Sequence, residues 1–354
     1  MTHTQRLQLL LDGKPVDRPL FAGWGHFMNL VDRDAVQFAQ ATIRLQEKFQ
    51  FDFVKVMSNP YYMVEDTGLE LCPPPDALHT VTRSPTRLPI QTPQDWERLP
   101  LPQLHKGALA REEEAIRRIV DAFQGDTPVL ATIYTPIMWL SYLALYSGEM
   151  AREEQQNGCF TALLERFLMQ QEHQVVPVLD YFAELNQQYM EELIKVGVSG
   201  FFYCSEHIRD AWSSPDAFSY FEKRYDLAAL GAVEGKCQMN LLHVCGTQRL
   251  RMEWALDYPV EAINWDDQEA ETPSLAEIRE QTNRILVGGL DRHRDLEGEN
   301  PEQIRRRIRE KVIRATTQAG EKLIVSGGCD WSISASHYFP LWQEVMEEFT
   351  RRSK

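Results

Sequence analysis

The sequence predicts a (β/α)8 TIM barrel, built as one domain over residues 1–354 with an N-terminal Pro-rich excursion at residues 72–109. Three observations carry this expectation. Short apolar runs of six to nine residues recur with helical stretches between them, as the buried strands of a parallel sheet do. Eight such runs occur, the number a barrel needs. No G-x-G-x-x-G follows any of them, which takes away the usual fingerprint of the alternative, an open doubly wound sheet.

The elements follow in order. The first run, PLFAGW (19–24), leads into DRDAVQFAQATIRLQEKF, which has apolar residues at 36, 38, 39, 43 and 45 and reads as an amphipathic helix. The second run is DFVKVM (52–57). Beyond it the chain turns Pro-rich (CPPPDALHTVTRSPTRLPIQTPQ), an excursion with room for a small hairpin. The third run, PVLATIY (128–134), is followed by two long helical stretches within 137–196, more than one crossover requires. After the fourth, GFFYCS (200–205), Ser214 is placed to cap a helix with Pro215 at its first position. CQMNLLHVC (237–245), EAINWD (261–266) and RILVGGL (284–290) are the fifth to seventh. A helix then opens at Asn300-Pro301 and stops at Gly320, ahead of the eighth run, KLIVSGG (322–328).

Composition narrows the function. The chain is 43% hydrophobic and 25% charged, the balance of a globular enzyme, and its net charge of −15 repels nucleic acid and anionic membranes. Charges interrupt the first twenty residues, and no run reaches the roughly 18 apolar residues of a membrane span, so a cytoplasmic protein is expected. Six cysteines in a chain of this length point to free thiols or ligands rather than a disulfide scaffold.

The ends of the apolar runs carry the chemistry, because barrel enzymes place their sites at the C-terminal strand ends. His243 and Cys245 close the fifth run two positions apart, which puts both side chains on one face of a strand. Cys329 closes the eighth, after Gly327 and Gly328, which are expected to let the backbone turn sharply. A barrel brings these rims together. Two thiolates and an imidazole suit Zn²⁺, and three protein ligands leave one position open, as in catalytic sites. Either stretch alone reads equally as core packing. Asp266 and Asp267 end the sixth run between the two, and either, Asp266 first, is a candidate fourth ligand or a candidate to orient His243. Cys204 could line the pocket, whereas Cys72, Cys159 and Cys237 read as ordinary small apolar residues. His26, Glu206 and His207 are candidate proton carriers, and Asn59, just past the second run, is a further candidate catalytic residue. Trp24, Met28, Tyr61, Tyr62, Tyr134, Met138, Trp139 and Trp331 are candidates for an aromatic, Met-rich lining that suits an aromatic or corrin-sized surface.

His243-x-Cys245 with Cys329 resembles the zinc site of the corrinoid-dependent methyltransferases in the uroporphyrinogen decarboxylase superfamily. The group includes methylcobamide:coenzyme M methyltransferases and relatives acting on methylated amines, halides and phenyl methyl ethers. The likeness extends through FDFVKVMSNPYYMVEDTG (51–68), TIYTPIMWLSYL (132–143), INWDDQEAETPSLAEIR (263–279), ILVGGLDRHRDL (285–296) and LIVSGGCDW (323–331). The resemblance implies a zinc-dependent methyltransferase that moves a methyl group between a small substrate and a corrinoid. The substrate would be a thiol acceptor or a methylated ether or amine donor, and the three ligands do not choose the direction. A bound cobalamin domain would show D-x-H-x-x-G; in DRHRDL Leu296 takes the glycine position, so the corrinoid is expected on a separate partner protein docking over the mouth. A homodimer is compatible with this reading.

Two alternatives stand beside it. A metal-free decarboxylase of porphyrin biosynthesis would carry an Arg-Gln-Ala-Gly-Arg motif, where this chain reads FAGWGHFMN, and an aspartate past the second strand, where Asn59 stands. It would also carry Gly-His-Gly near the eighth strand, where this chain has GGC. The other is a non-catalytic barrel that only binds a methylated small molecule.

Overall fold

All eight apolar runs form strands of one parallel sheet in a computed structural model of the chain. The structure describes residues 1–27, 31–72, 84–145, 160–246, 249–331 and 333–352. The sheet strands are β1 (Leu20–Phe21), β2 (Val54–Lys55), β5 (Val129–Tyr134), β6 (Gly200–Ser205), β7 (Leu241–Val244), β8 (Ala262–Trp265), β9 (Ile285–Leu290) and β10 (Leu323–Gly327). Their order is β1-β10-β9-β8-β7-β6-β5-β2, the curl of a (β/α)8 TIM barrel. A short antiparallel pair, β3 (Glu70–Cys72) and β4 (Ser84–Arg87), forms the hairpin of the Pro-rich excursion. Met28, Cys159 and the Cys72 side chain lie outside the described residues.

The barrel closes between β1 and β2 through a side chain. Asp52 is fully buried. Its backbone N–H donates to the Phe21 carbonyl at 2.8 Å, and its Oδ2 accepts from the Phe21 N–H at 2.8 Å. Arg18 grips the same carboxylate with both Nη atoms, at 2.6 and 3.0 Å, and Arg6, from the N-terminal helix His3–Leu11, adds a bond of 2.9 Å.

Inside the barrel, alternate strand residues form an apolar plug of Leu20, Phe53, Leu130, Phe202, Leu241 and Ile285 among others. Outside, amphipathic helices cover the sheet. In the helix Pro301–Ala319 the buried residues Ile304, Ile308, Val312, Ala315 and Ala319 recur at helical spacing, capped by the Asn300 side chain. Ser214 caps the helix that begins at Pro215 in the expected way. None of the described helices is long and apolar enough to cross a membrane.

Candidate metal centre

Strand register puts the chemistry on one level. Tyr134, Cys204, His243, Asn264, Val287 and Ile324 pair in sequence across the sheet, from β5 round to β10. His243 is 2% exposed, and its side chain shares the inward face with Cys245, the residue after β7. The Cys245 backbone extends the ladder by donating to the Ser205 carbonyl at 2.8 Å. Cys329 reaches the same place from the end of β10. One ligand atom from each of His243, Cys245 and Cys329 lies within 4.8 Å of the other two.

The spacing fits a tetrahedral cation. With Zn–S near 2.3 Å and Zn–N near 2.0–2.1 Å, tetrahedral angles place two sulfurs about 3.8 Å apart and a sulfur and nitrogen about 3.6 Å apart. Cys245 Sγ and Cys329 Sγ are 4.0 Å apart, and Cys329 Sγ and His243 Nε2 are 3.7 Å apart.

The imidazole is oriented for this role. Asn264 spends its Nδ2 on two main-chain carbonyls, those of Val287 at 2.8 Å and Gly327 at 3.2 Å. Its Oδ1 therefore faces His243 Nδ1, 2.6 Å away. A carbonyl oxygen only accepts, so Nδ1 carries the proton and the Nε2 lone pair faces the sulfurs. This is the task expected of Asp266 or Asp267, and the structure gives it to Asn264. Asp266 instead accepts from Arg292 Nε at 2.9 Å. It gathers with Glu269 and His293 in a second, more exposed group, and the three-atom cluster of His243, Cys245 and Cys329 does not include it. Asp267 accepts from the Gly289 N–H at 2.9 Å and serves the backbone of β9.

Gly328 is needed, although not for a left-handed turn: neither it nor Gly327 has positive φ. A Cβ on Gly328 would collide with the Asp266 backbone and side chain. The bare glycine lets the end of β10 close against the end of β8, which delivers Cys329.

The two thiols also act on one another. The Cys245 thiol is pushed well above its ordinary value, first by its hydrogen bond with Cys204, although that with Cys329 acts the other way, and then by burial. Cys329 is raised by its bond with Cys245 and by burial. Neighbouring thiolates repel one another, and a dication bound between them would remove that conflict.

The other expected residues divide. Tyr134 is buried near the sulfurs: burial first, then the charges of Cys204, Tyr62, Glu206 and Cys245, push its phenol well above the ordinary value. Trp24 packs inside the barrel on Phe202, with ring centroids 5.2 Å apart. Glu206 is half-buried at the rim, accepts from Tyr142 Oη at 3.4 Å, and its charge reaches Cys245. His26 stands by Asp330. Burial pushes the Asp330 carboxyl up, but His26, Arg292 and the Cys329 hydrogen bond outweigh it and hold it below its ordinary value.

Asn59 is turned away. Its Oδ1 accepts from the Tyr61 N–H at 3.1 Å and its Nδ2 donates to Glu65, so it pins its own loop. Tyr61 packs on Tyr142, with centroids 4.9 Å apart. Trp331 joins the outer aromatic layer with Phe339 and Trp342. His207 is fully buried with Nδ1 against Thr161 Oγ1, and burial, then Arg209, lowers it to about 3. It stays neutral at physiological pH and has the character of a packing residue rather than a proton carrier.

Two residues of the site escaped the sequence reading. Asn264 is a polar residue inside a buried strand, and that was its only signal. Lys55 interrupts the apolar inward face Phe53-x-Lys55-x-Met57 of β2, where a charged residue breaks the alternation.

The family model for uroporphyrinogen decarboxylase (URO-D) matches residues 15–337. Among solved structures, a methyltransferase from Methanosarcina mazei shares the fold at a TM-score of 0.77, with 17% sequence identity and 99% of each chain covered. A B12-independent methionine synthase from Shewanella sp. W3-18-1, solved in complex with selenomethionine, aligns at a TM-score of 0.56 and 11% identity over 94% of this chain and 98% of its own. A putative vitamin-B12 independent methionine synthase from Listeria monocytogenes aligns at 0.54 and 12% identity, over 95% and 98%. No curated protein matches.

Proposed function

The chain belongs to the uroporphyrinogen decarboxylase family, and from that premise we propose that it is a zinc-dependent methyltransferase working with a corrinoid carried on a separate protein. The observation that carries the proposal is the meeting of His243 Nε2, Cys245 Sγ and Cys329 Sγ at spacings suited to one tetrahedral cation. These three residues would hold the metal. Bound there, zinc would supply either stabilisation of a substrate thiol as its thiolate at neutral pH or Lewis acidity toward the leaving heteroatom of a methyl donor. The corrinoid would supply the methyl-carrying cobalt. The Methanosarcina mazei protein that shares this fold is a methyltransferase, which accords with the reading.

The chain's own residues have defined parts. Asn264 holds the His243 tautomer and ring plane. Glu206 offers a carboxylate at the rim beside Cys245, and His26 an imidazole beside Asp330, so either can hold or pass a proton next to an entering substrate. Trp24 and Tyr134 keep water from the inner wall.

The reaction that names the family is less well supplied. The FAGWGHFMN stretch has no arginine, Asn59 is committed to its own loop, and Arg292 is tied to Asp266. A polyanionic substrate would want free guanidinium groups at these places.

Metal analysis tests the proposal. The purified chain is expected to hold about one zinc, and Cys245→Ser and Cys329→Ser to lose it. Unchanged zinc in both variants would sink the assignment. Methyl exchange between methylcobalamin and an added thiol, followed by the cobalamin visible spectrum, tests the reaction class.

A further inference from the structure

Lys55, partly exposed, reaches into the barrel interior with no carboxylate in ion-pair contact among the described residues. Phe53 and Met57, on the same face of β2, belong to the inner plug. Lys55 Nζ lies 4.1 Å from the centroid of Phe202, 5.5 Å from that of Trp24 and 3.2 Å from Met57 Sδ. The Phe202 ring also packs on the His243 ring, with centroids 5.2 Å apart, so the ammonium and the imidazole of the triad touch one aromatic side chain. Among the described residues Lys55 forms no ion pair. The charges it feels are chiefly those of Cys204, Cys329, Asp330 and Cys245. Two aromatic faces and a thioether are weak compensation for a partly desolvated ammonium. Burial accordingly depresses the amine below its ordinary value.

The sulfurs do not solve this once a metal is bound. Two thiolates and a dication sum to zero, so the loaded triad gives Lys55 no net countercharge. The carboxylate whose charge reaches it, Asp330, is shared with Arg292 and His26, so an anion arriving at the open position would add countercharge, whereas an ammonium-bearing guest would be repelled.

We propose that Lys55 is the counter-ion for an anionic sulfur or oxygen at the position left open by His243, Cys245 and Cys329. The substrate class is then a thiol or an O- or S-methyl compound, and methylated amines are disfavoured. This rests on the metal reading above and selects among the substrates that reading admits.

Two measurements on the full chain test it. Co²⁺-loaded wild type and Lys55→Met are titrated with ethanethiol and with trimethylamine, followed by the cobalt absorption bands. Methionine fits the apolar surroundings, so Lys55→Met should fold. Wild type is expected to bind ethanethiol at least about tenfold more tightly than Lys55→Met does, with Lys55→Arg close to wild type. Trimethylamine is expected to bind Lys55→Met as well as or better than wild type. Equal thiol affinity in wild type and Lys55→Met, or tighter binding of trimethylamine than ethanethiol by wild type, would overturn the proposal.

The second measurement needs no metal. Alkylation of Cys245 and Cys329 in metal-free protein, read by peptide mass spectrometry, compares anionic iodoacetate with neutral iodoacetamide. The iodoacetate-to-iodoacetamide rate ratio should fall several-fold in Lys55→Met and be restored in Lys55→Arg. An unchanged ratio overturns the role of Lys55 whatever the metal content. Failure of wild type to take up Co²⁺ or Zn²⁺ overturns the metal reading and the guest position with it, and the ratio then reports separately on Lys55.

Discussion

His243 owes its usefulness to Asn264. A carboxamide held by two main-chain carbonyls cannot rotate to offer its nitrogen, so the imidazole proton stays on Nδ1 and the metal-facing lone pair is fixed before any metal arrives. Asn264→Leu keeps the volume but removes that acceptor. Its zinc affinity, measured by competition with a chromophoric chelator, is expected to fall about 10–100-fold. An unchanged affinity would mean that packing against Phe202 alone orients the ring. His207 shows the opposite case. It stands three residues past Cys204, yet burial keeps its ring neutral, and His207→Gln should leave the pH dependence of any activity where it was. The comparison of pH–rate profiles checks this.

Among the strands, the seam between β1 and β2 is held at Asp52, through its backbone N–H and its carboxylate. Burial alone would raise the Asp52 carboxyl, but the His3 hydrogen bond and the charges of Arg18 and Arg6 outweigh it and lower it to about 2 from 3.8. A carboxylate whose folded value is depressed stabilises the fold above the unfolded value and loses that contribution as pH falls through the folded one. Asp52 should therefore contribute about 2 kcal/mol, present above about pH 4 and lost toward about pH 2. Asp52→Asn leaves Arg6 and Arg18 without their shared anion and is expected to cost about 3–5 kcal/mol in urea denaturation at neutral pH. The variant should also lose part of the acid sensitivity between pH 4 and 2.

The strands were legible in the sequence because burial on both faces writes continuous apolar runs, and all eight runs lie where the sheet forms. The meeting of His243, Cys245 and Cys329 followed from strand ends sharing a rim. Partner choice was not legible. That Asp266 turns to Arg292, that Asn264 takes up His243, and that Trp331 faces Trp342 rather than the mouth are contacts between segments far apart in sequence. Nothing local in the sequence marks them.

For the molecule as a whole, a metal held by β7 and the end of β10 would join strands three places apart in the sheet order. Ligand binding to the native state stabilises by about 2.7 kcal/mol at a hundredfold excess over the dissociation constant. A chelator should therefore lower the melting temperature of wild type by several degrees and leave that of Cys245→Ser unmoved. Differential scanning calorimetry with and without chelator reads both.

The place of β1 has a kinetic corollary. A two-residue strand early in the sequence finds its ladder partner, among the described residues, in β10, at Leu20–Ile324 and Phe21–Val325. That partner lies about 300 residues further along the chain, so β1 can join its ladder only after β10 has left the ribosome, although Phe21 can already meet Asp52 beside β2. Closure of this edge then waits for β10, and chains stalled before Leu323 should present an open, chaperone-attracting edge.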